Sequence, residues 1–263
     1  MLDIQTSFDL LCSRGPHYFF PDLANRIIVT NQPQSQKYLA IIFESNRLIA
    51  INKPVGLATQ APSGIDSLEW RVKRYLAFGK KTSGKVYLGV PHRLDRPASG
   101  AIVFAKDKVA ARHLAEQFQI RTVKKTYWAL VNGCVNSESG TWTDWMKKIP
   151  DEARSEICQE DDSGAQMAVL HYTVVRHSES ESLIEIQLET GRSHQIRLQA
   201  SSRGFPIHGD ALYGSAINFG PEVDDERLKG IALHARLLVI TDPDSGQPLD
   251  LVAEPPEFWR AVS

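Results

Sequence analysis

Five side chains able to do chemistry or hold a ligand crowd into PHRLDRPASG, residues 91–100: His92, Arg93, Asp95, Arg96 and Ser99. A carboxylate flanked by arginines is biased towards its ionised form. An ionised aspartate in a preorganised pocket serves as nucleophile or base. The same pattern also suits a turn aspartate in a structural salt bridge, so the segment leaves both readings open. A second segment, TGRSHQIRLQASSRGFPIHGDALYG at 190–214, is dense in donors: Arg192, His194, Gln195, Arg197 and His208. Its Gly191-Arg192-Ser193 opening puts backbone N–H groups where a phosphate can sit. The spacing of His194 and His208 is not a zinc pattern and no cysteine lies nearby, so no metal is expected. In KKTYWALVNG, residues 124–133, Lys125 and Tyr127 share one face of a strand. That face offers a base-stacking ring beside a phosphate contact, or else a core tyrosine. The run GKKTSGK at 79–85 fails the spacing of a phosphate-binding P-loop, which argues against nucleotide hydrolysis.

The elements around these segments read mainly as strands. Apolar runs at 39–43 and 48–51 flank the turn signal SNR. A helix over 66–78 follows from the spacing of Leu68, Val72, Tyr75 and Leu76. Residues 100–105 form an apolar strand, and Asp107 can cap a helix whose face carries Ala110, Ala111, Leu114 and Phe118. Further strands are expected at 126–131, 169–175, 183–188, 233–240 and 249–253. Ser193 is placed to cap a short helix running to about residue 202, with Gly204 at its end. Strands that outnumber helices and follow one another directly favour an α+β class. The polar stretch NQPQSQK closes an N-terminal extension or arm at 1–38, leaving 39–263 as one domain.

With 263 residues, 42% of them hydrophobic, the chain can bury a sizeable core. It has no run near the roughly 18 apolar residues of a membrane span and no secretory signal pattern. Three scattered cysteines argue against a disulfide framework. A soluble, cytoplasmic protein with no membrane contact is the expectation. Net charge is only −1, yet residues 71–148 hold sixteen Lys/Arg against five Asp/Glu. Such asymmetry can give a positive face for a polyanion, or charges merely solvated on several faces.

In order, NKPVGL, HRLDRPASG, KKTYWALVNG, TGRSHQIR, PIHGDALYG and LHARLL resemble the motifs of the RluA-type pseudouridine synthases from about residue 40 onwards. The resemblance implies an α+β pseudouridine synthase fold: a mixed, largely antiparallel sheet with flanking helices and a central catalytic cleft. It makes 39–263 the catalytic domain and RNA, ribosomal or transfer, the partner. The uridine glycosidic bond is broken, the uracil turned, and the base rejoined through carbon. By the same resemblance Asp95 is the essential carboxylate, either attacking the ribose or assisting elimination. Arg197 pairs with it, and Tyr127 stacks on the uracil. Arg93 fills the gap left by the flipped uridine. His92, Arg96, Ser99 and Lys125, with Arg192, His194 and Gln195, contact the substrate. No cofactor, metal or obligatory protein partner is implied. Ala98 stands where the family usually has threonine. Two rivals are an RNA-binding homologue without catalysis and a carboxylate-dependent hydrolase of small molecules. Retention of Asp95, Tyr127 and Arg197 together argues against the first, and the basic band against the second.

Overall fold

Strands β2 (Leu48–Lys53) and β3 (Ser99–Ala105) are buried at nearly every position and carry the unbroken apolar runs 48–51 and 101–105. Such runs suit strands covered on both faces. The computed structural model describes residues 39–80 and 86–262, so the arm expected at 1–38 lies outside the described residues. Between β1 (Ile41–Glu44) and β3, β2 pairs antiparallel on both sides. Alternate positions of β2 and β3 then go to opposite faces. Ile49, Ile51, Ile102 and Phe104 meet Leu68, Val72 and Leu76 of helix α1 (Leu68–Lys80). Leu48, Ala50, Ala101 and Val103 meet Ala110 and Leu114 of helix α2 (Lys108–Gln119). Burying each large aliphatic side chain contributes about 1.5–3 kcal/mol, so the two helices clamp this half of the sheet. Asp107 caps α2 as the sequence predicts, accepting from the backbone N–H groups of Val109 at 2.8 Å and Ala110 at 2.9 Å.

The sheet continues through β4 (Lys124–Asn132), β5 (Ser139–Lys148), β6 (Ser155–Cys158), β7 (Gln166–His177), β8 (Glu181–Leu188), β9 (Leu233–Thr241) and β10 (Pro248–Val252). Its order is β1-β2-β3-β9-β4-β8-β7-β5-β6, with β10 also on β9. Every pairing is antiparallel except β3 with β9. That is the mixed, largely antiparallel α+β sheet the sequence implies. Ile196 and Ala200 of helix α3 (Gln195–Ser201) pack on this second half, against a core that includes Leu130, Leu170, Ile184 and Ile186. No described helix is long and apolar enough to cross a membrane.

The two halves meet at a narrow seam. Strand β3 touches β9 only where Ser99 and Gly100 lie beside His234 and Ala235. Beyond that point β10 takes over the same edge of β9. Gly100 has φ 120°, and a Cβ there would run into the Ala235 backbone. Only glycine permits this approach. The loop carrying Asp95 enters the sheet at this seam, and Tyr127 of β4 pairs with Ala235 of β9.

Strands β5 and β6 carry no clear signal in the sequence. The inward face of β5 carries Gly140, Trp142, Asp144 and Met146, so two of its four positions lack an apolar residue. Gly140 is small because the Tyr172 ring occupies the space a Cβ would need. Asp144 takes Arg203 at 2.8 Å and the Gln199 amide at 2.6 Å. The start of α3 also differs from the expectation. His194, not Ser193, occupies the cap position, in the left-handed region at φ 55° and with no side-chain cap bond.

Candidate active site

The Asp95 loop is held at five points. Its own turn closes through Ala98 N–H donating to the Asp95 carbonyl at 3.2 Å. Leu94 exchanges backbone bonds with the Thr59 hydroxyl, at 2.9 and 3.1 Å. Ile231 N–H donates to the Pro97 carbonyl at 3.1 Å. The fully buried Lys53 donates to the carbonyls of Pro54 (2.9 Å), Leu57 (2.8 Å) and Arg96 (3.1 Å). Burial pushes the Lys53 ammonium down to about 7, with Asp95 opposing and Arg96 assisting the shift. Three carbonyl acceptors match the three protons of the charged form, which the local geometry favours. At the loop's end the Ser99 hydroxyl lies 2.8 Å from His234 Nδ1.

Asp95 meets Arg197 from helix α3, whose Nη1 donates to Oδ2 at 3.1 Å. The pairing the resemblance implies is therefore present, but it is the weaker half of a larger cluster. Asp210 takes Arg197 side-on, with Nε to Oδ2 at 2.6 Å and Nη2 to Oδ1 at 2.7 Å. Arg197 and Asp210 are both buried, and the guanidinium also lies 5.0 Å over the Tyr213 ring. Burial alone would lower the affinity of Arg197 for its proton. The Asp210 pair and Asp95 outweigh that and hold it above the usual arginine value. A permanently charged arginine thus faces Asp95 from a fixed position. Asp210 lies inside PIHGDALYG, yet nothing in its residue type marks it as the arginine's main partner.

A cleft of about 760 Å³ opens over this pair. Asp95, Tyr127, Arg197 and His194 line it together, with Arg93, Arg96, Lys125 and Arg192 around them. Burial raises the Tyr127 phenol above its usual value and the Asp95 charge raises it further. The ring therefore enters the cleft as a neutral phenol, able to stack or to donate a hydrogen bond. Arg121, at the end of α2, joins Lys125 and Arg192 on the same wall. Burial lowers the proton affinity of both Lys125 and Arg192. Arg121 lowers each further, and Arg192 acts likewise on Lys125. Among the described residues none of these three cations has an ion-pair partner, although Arg192 Nε donates to the Met167 carbonyl at 2.9 Å. Crowded cations without counter-ions are a seat for phosphodiester groups. Arg121 belongs to none of the sequence motifs.

Several expected contacts turn out otherwise. Ser99 is fully buried and engaged by His234, so it anchors β3 rather than touching a substrate. Gln195 is buried too. Its Oε1 accepts from the Thr190 hydroxyl (2.7 Å) and Arg192 N–H (3.1 Å), and its amide donates to the Val169 carbonyl (3.0 Å) and to Gln199 (3.1 Å). With every polar atom used internally, Gln195 shapes the turn and does not read RNA. The Arg192 N–H expected to face a phosphate is spent on Gln195. His92 borders the cleft, but its Nε2 accepts from Val103 N–H at 3.1 Å and its ring stacks on Phe118. Burial and then Lys125 push its imidazole down to about 3, so it stays neutral. Arg93 and Arg96 are exposed at the cleft and have no ion-pair partner among the described residues. No group of three or more His, Cys, Asp or Glu among the described residues is placed to hold a metal ion.

Comparison with known proteins agrees with this geometry. Residues 47–202 match the family described as RNA pseudouridylate synthase. The uncharacterized RNA pseudouridine synthase YhcT of Bacillus subtilis is 34% identical over 221 residues, covering 83% of this chain and 68% of that protein. Ribosomal large subunit pseudouridine synthase D of Zymomonas mobilis is 32% identical over 236 residues, covering 88% of this chain and 74% of that protein. Among solved structures, human RNA pseudouridylate synthase domain containing 4 superposes with a TM-score of 0.68 at 26% identity, covering 84% of this chain and 90% of that one. The motifs, the mixed sheet with its central cleft, and these relatives together place the chain in the RluA-type family of RNA pseudouridine synthases, which are intramolecular isomerases.

Proposed function

We propose that this pseudouridine synthase modifies uridines of ribosomal RNA, with Asp95 as the reacting carboxylate. The choice of RNA rests on relatives such as the Zymomonas mobilis protein, whose name assigns it to the large ribosomal subunit. The choice of Asp95 rests on one observation: its Oδ2 is held by Arg197, while Oδ1 has no hydrogen-bond partner among the described residues and the side chain lines the cleft. A uridine in a stacked helix cannot present its glycosidic bond to that oxygen, so it must flip out. Arg93, exposed at the cleft, fills the vacated space. Arg121, Lys125 and Arg192 hold phosphates beside the flipped nucleotide. Tyr127 supports the uracil ring while it detaches, turns and rejoins through carbon. Asp95, held by Arg197 at 3.1 Å, acts either on the ribose carbon or in elimination. Transcript-wide pseudouridine mapping with and without the gene tests the substrate. Loss of discrete ribosomal RNA sites is expected. Losses confined to transfer RNA would overturn the ribosomal reading.

A further inference from the structure

His194 sits at the heart of a hydrogen-bond chain that the reaction as described does not use. Its Nδ1 lies 3.0 Å from the Tyr213 hydroxyl, and its Nε2 lies 3.6 Å from Oδ2 of Asp95. The Tyr213 hydroxyl already accepts from Ser155 N–H at 2.9 Å. It has one proton to donate. Its two acceptors are Nδ1 of His194 at 3.0 Å and the Ser155 carbonyl at 3.4 Å. Donation to the nearer one fixes Nδ1 as an acceptor and puts the imidazole proton on Nε2, facing the carboxylate. Burial raises the Tyr213 phenol above its usual value, so it keeps the proton it donates.

The backbone is built to hold this pose. His194 occupies the left-handed region at φ 55°, which costs a non-glycine residue energy. Strained conformations persist where the surroundings over-determine them. Here Ser155 Oγ donates to the Ser193 carbonyl at 3.0 Å, and Gln195 clasps Arg192 N–H at 3.1 Å. The short strand β6 thus supports the site, because its Ser155 fixes both Ser193 and Tyr213. The charged and titratable groups facing the ring are Asp95 from its loop, Arg197 from α3, Asp210 and Tyr213 from the turn after it, and Lys148 from β5. Burial lowers the imidazole's proton affinity first, and Asp95 opposes this, so His194 is a neutral, single-proton donor near neutral pH.

We propose that His194 is a positioning residue for the isomerisation: backed by Tyr213, it directs Nε2–H at Oδ2 of Asp95. With Arg197 it thereby commits that oxygen and leaves Oδ1 to act on the uridine. The inference rests on Asp95 being the reacting carboxylate. At 3.6 Å the contact is longer than a formed hydrogen bond, and catalytic contacts of this kind tighten when substrate closes the site. This role differs from the substrate contact the sequence implies for His194, and the two make opposite demands on affinity and rate.

The test compares His194→Phe, His194→Gln, His194→Asn and Tyr213→Phe in the full chain, on an RNA that the wild-type enzyme converts. RNA affinity and the single-turnover rate on bound RNA are measured separately, the rate across the acid and neutral range. A hydrogen bond to a charged group is worth about tenfold to a hundredfold in rate. His194→Phe is expected to lose that much bound-state rate, keep RNA affinity within about threefold, and shift the acid limb of the rate to higher pH. His194→Gln can place an amide N–H near the Nε2 position and recovers part of the rate. His194→Asn reaches only the Nδ1 position and does not. Loss of affinity with an unchanged bound-state rate would overturn the proposal and return His194 to RNA contact. Equal rate losses in every variant with an unmoved pH profile would overturn it in favour of a purely structural role. Ring-nitrogen NMR of the wild-type protein reads the tautomer without turnover: Nε2–H is expected, and Nδ1–H would overturn the proposal. A wild-type protein with that tautomer but no activity on ribosomal RNA would instead count against the substrate reading.

Discussion

Arg197 answers to two carboxylates of unequal burial. Asp210 is buried and bidentate, whereas the Asp95 side chain is 30% exposed and offers one contact. Removing one partner of a buried ion pair leaves an uncompensated charge, at a cost of about 3 kcal/mol or more. Asp210→Ala should therefore destabilise the fold by about that amount in denaturant unfolding. Asp95→Ala should cost less than about 1 kcal/mol, because Arg197 keeps its main partner. Equal costs would contradict the assignment of Asp210, rather than Asp95, as the structural partner of Arg197. The sequence points to Asp95, Arg197 and Tyr127 because their motifs are compact and ordered, and the structure brings all three to one cleft. It does not reveal Asp210 or Tyr213, whose importance comes from contacts made across the turn after α3. Nor does residue type distinguish a donor facing the cleft from one consumed internally. Ser99 and Gln195 share their motifs with cleft residues, yet spend their polar atoms on bonds inside the protein.

Among the elements, the β3–β9 seam sets the site. Ser99 and Gly100 are the only β3 residues paired with β9, and they follow directly on the Asp95 loop. Gly100→Ala adds a Cβ against the Ala235 backbone at φ 120°. Strain at such positions costs on the order of 1–3 kcal/mol before any clash. A thermal melt should show Tm lowered by at least about 2 °C, with pseudouridine formation falling as the loop loses its anchor. An unchanged Tm would mean the seam is looser than the backbone indicates. Strong period signals make most elements readable: β2, β3 and both long helices carry continuous or evenly spaced apolar residues. Strands β5 and β6 escape such a reading because glycine and aspartate sit on the inward face of β5, and β6 spans only Ser155–Cys158. At the start of α3, Ser193 is a good cap by type, whereas the Gln195 clasp and the Ser155 bond decide the actual turn.

Across the whole molecule, the basic band divides by position. Arg71, Lys73, Lys106 and Lys147 are neutralised by Asp66, Glu69, Glu44 and Asp162. Arg93, Arg96, Arg121 and Lys125 line the cleft without such partners among the described residues, and Arg192 joins them from outside the band. A net charge of −1 is thus compatible with a positive cleft. Under the function proposed above, binding by the cationic rim is separable from chemistry at one carboxylate. The most direct measurement is single-turnover pseudouridine formation by Asp95→Asn on saturating amounts of enzyme, with RNA affinity measured on the same preparation. Asn keeps size and polarity but removes the charge. No detectable pseudouridine is expected, with an affinity within about threefold of wild type. Substantial turnover by the purified variant would contradict the assignment of Asp95 and with it the reading of the site.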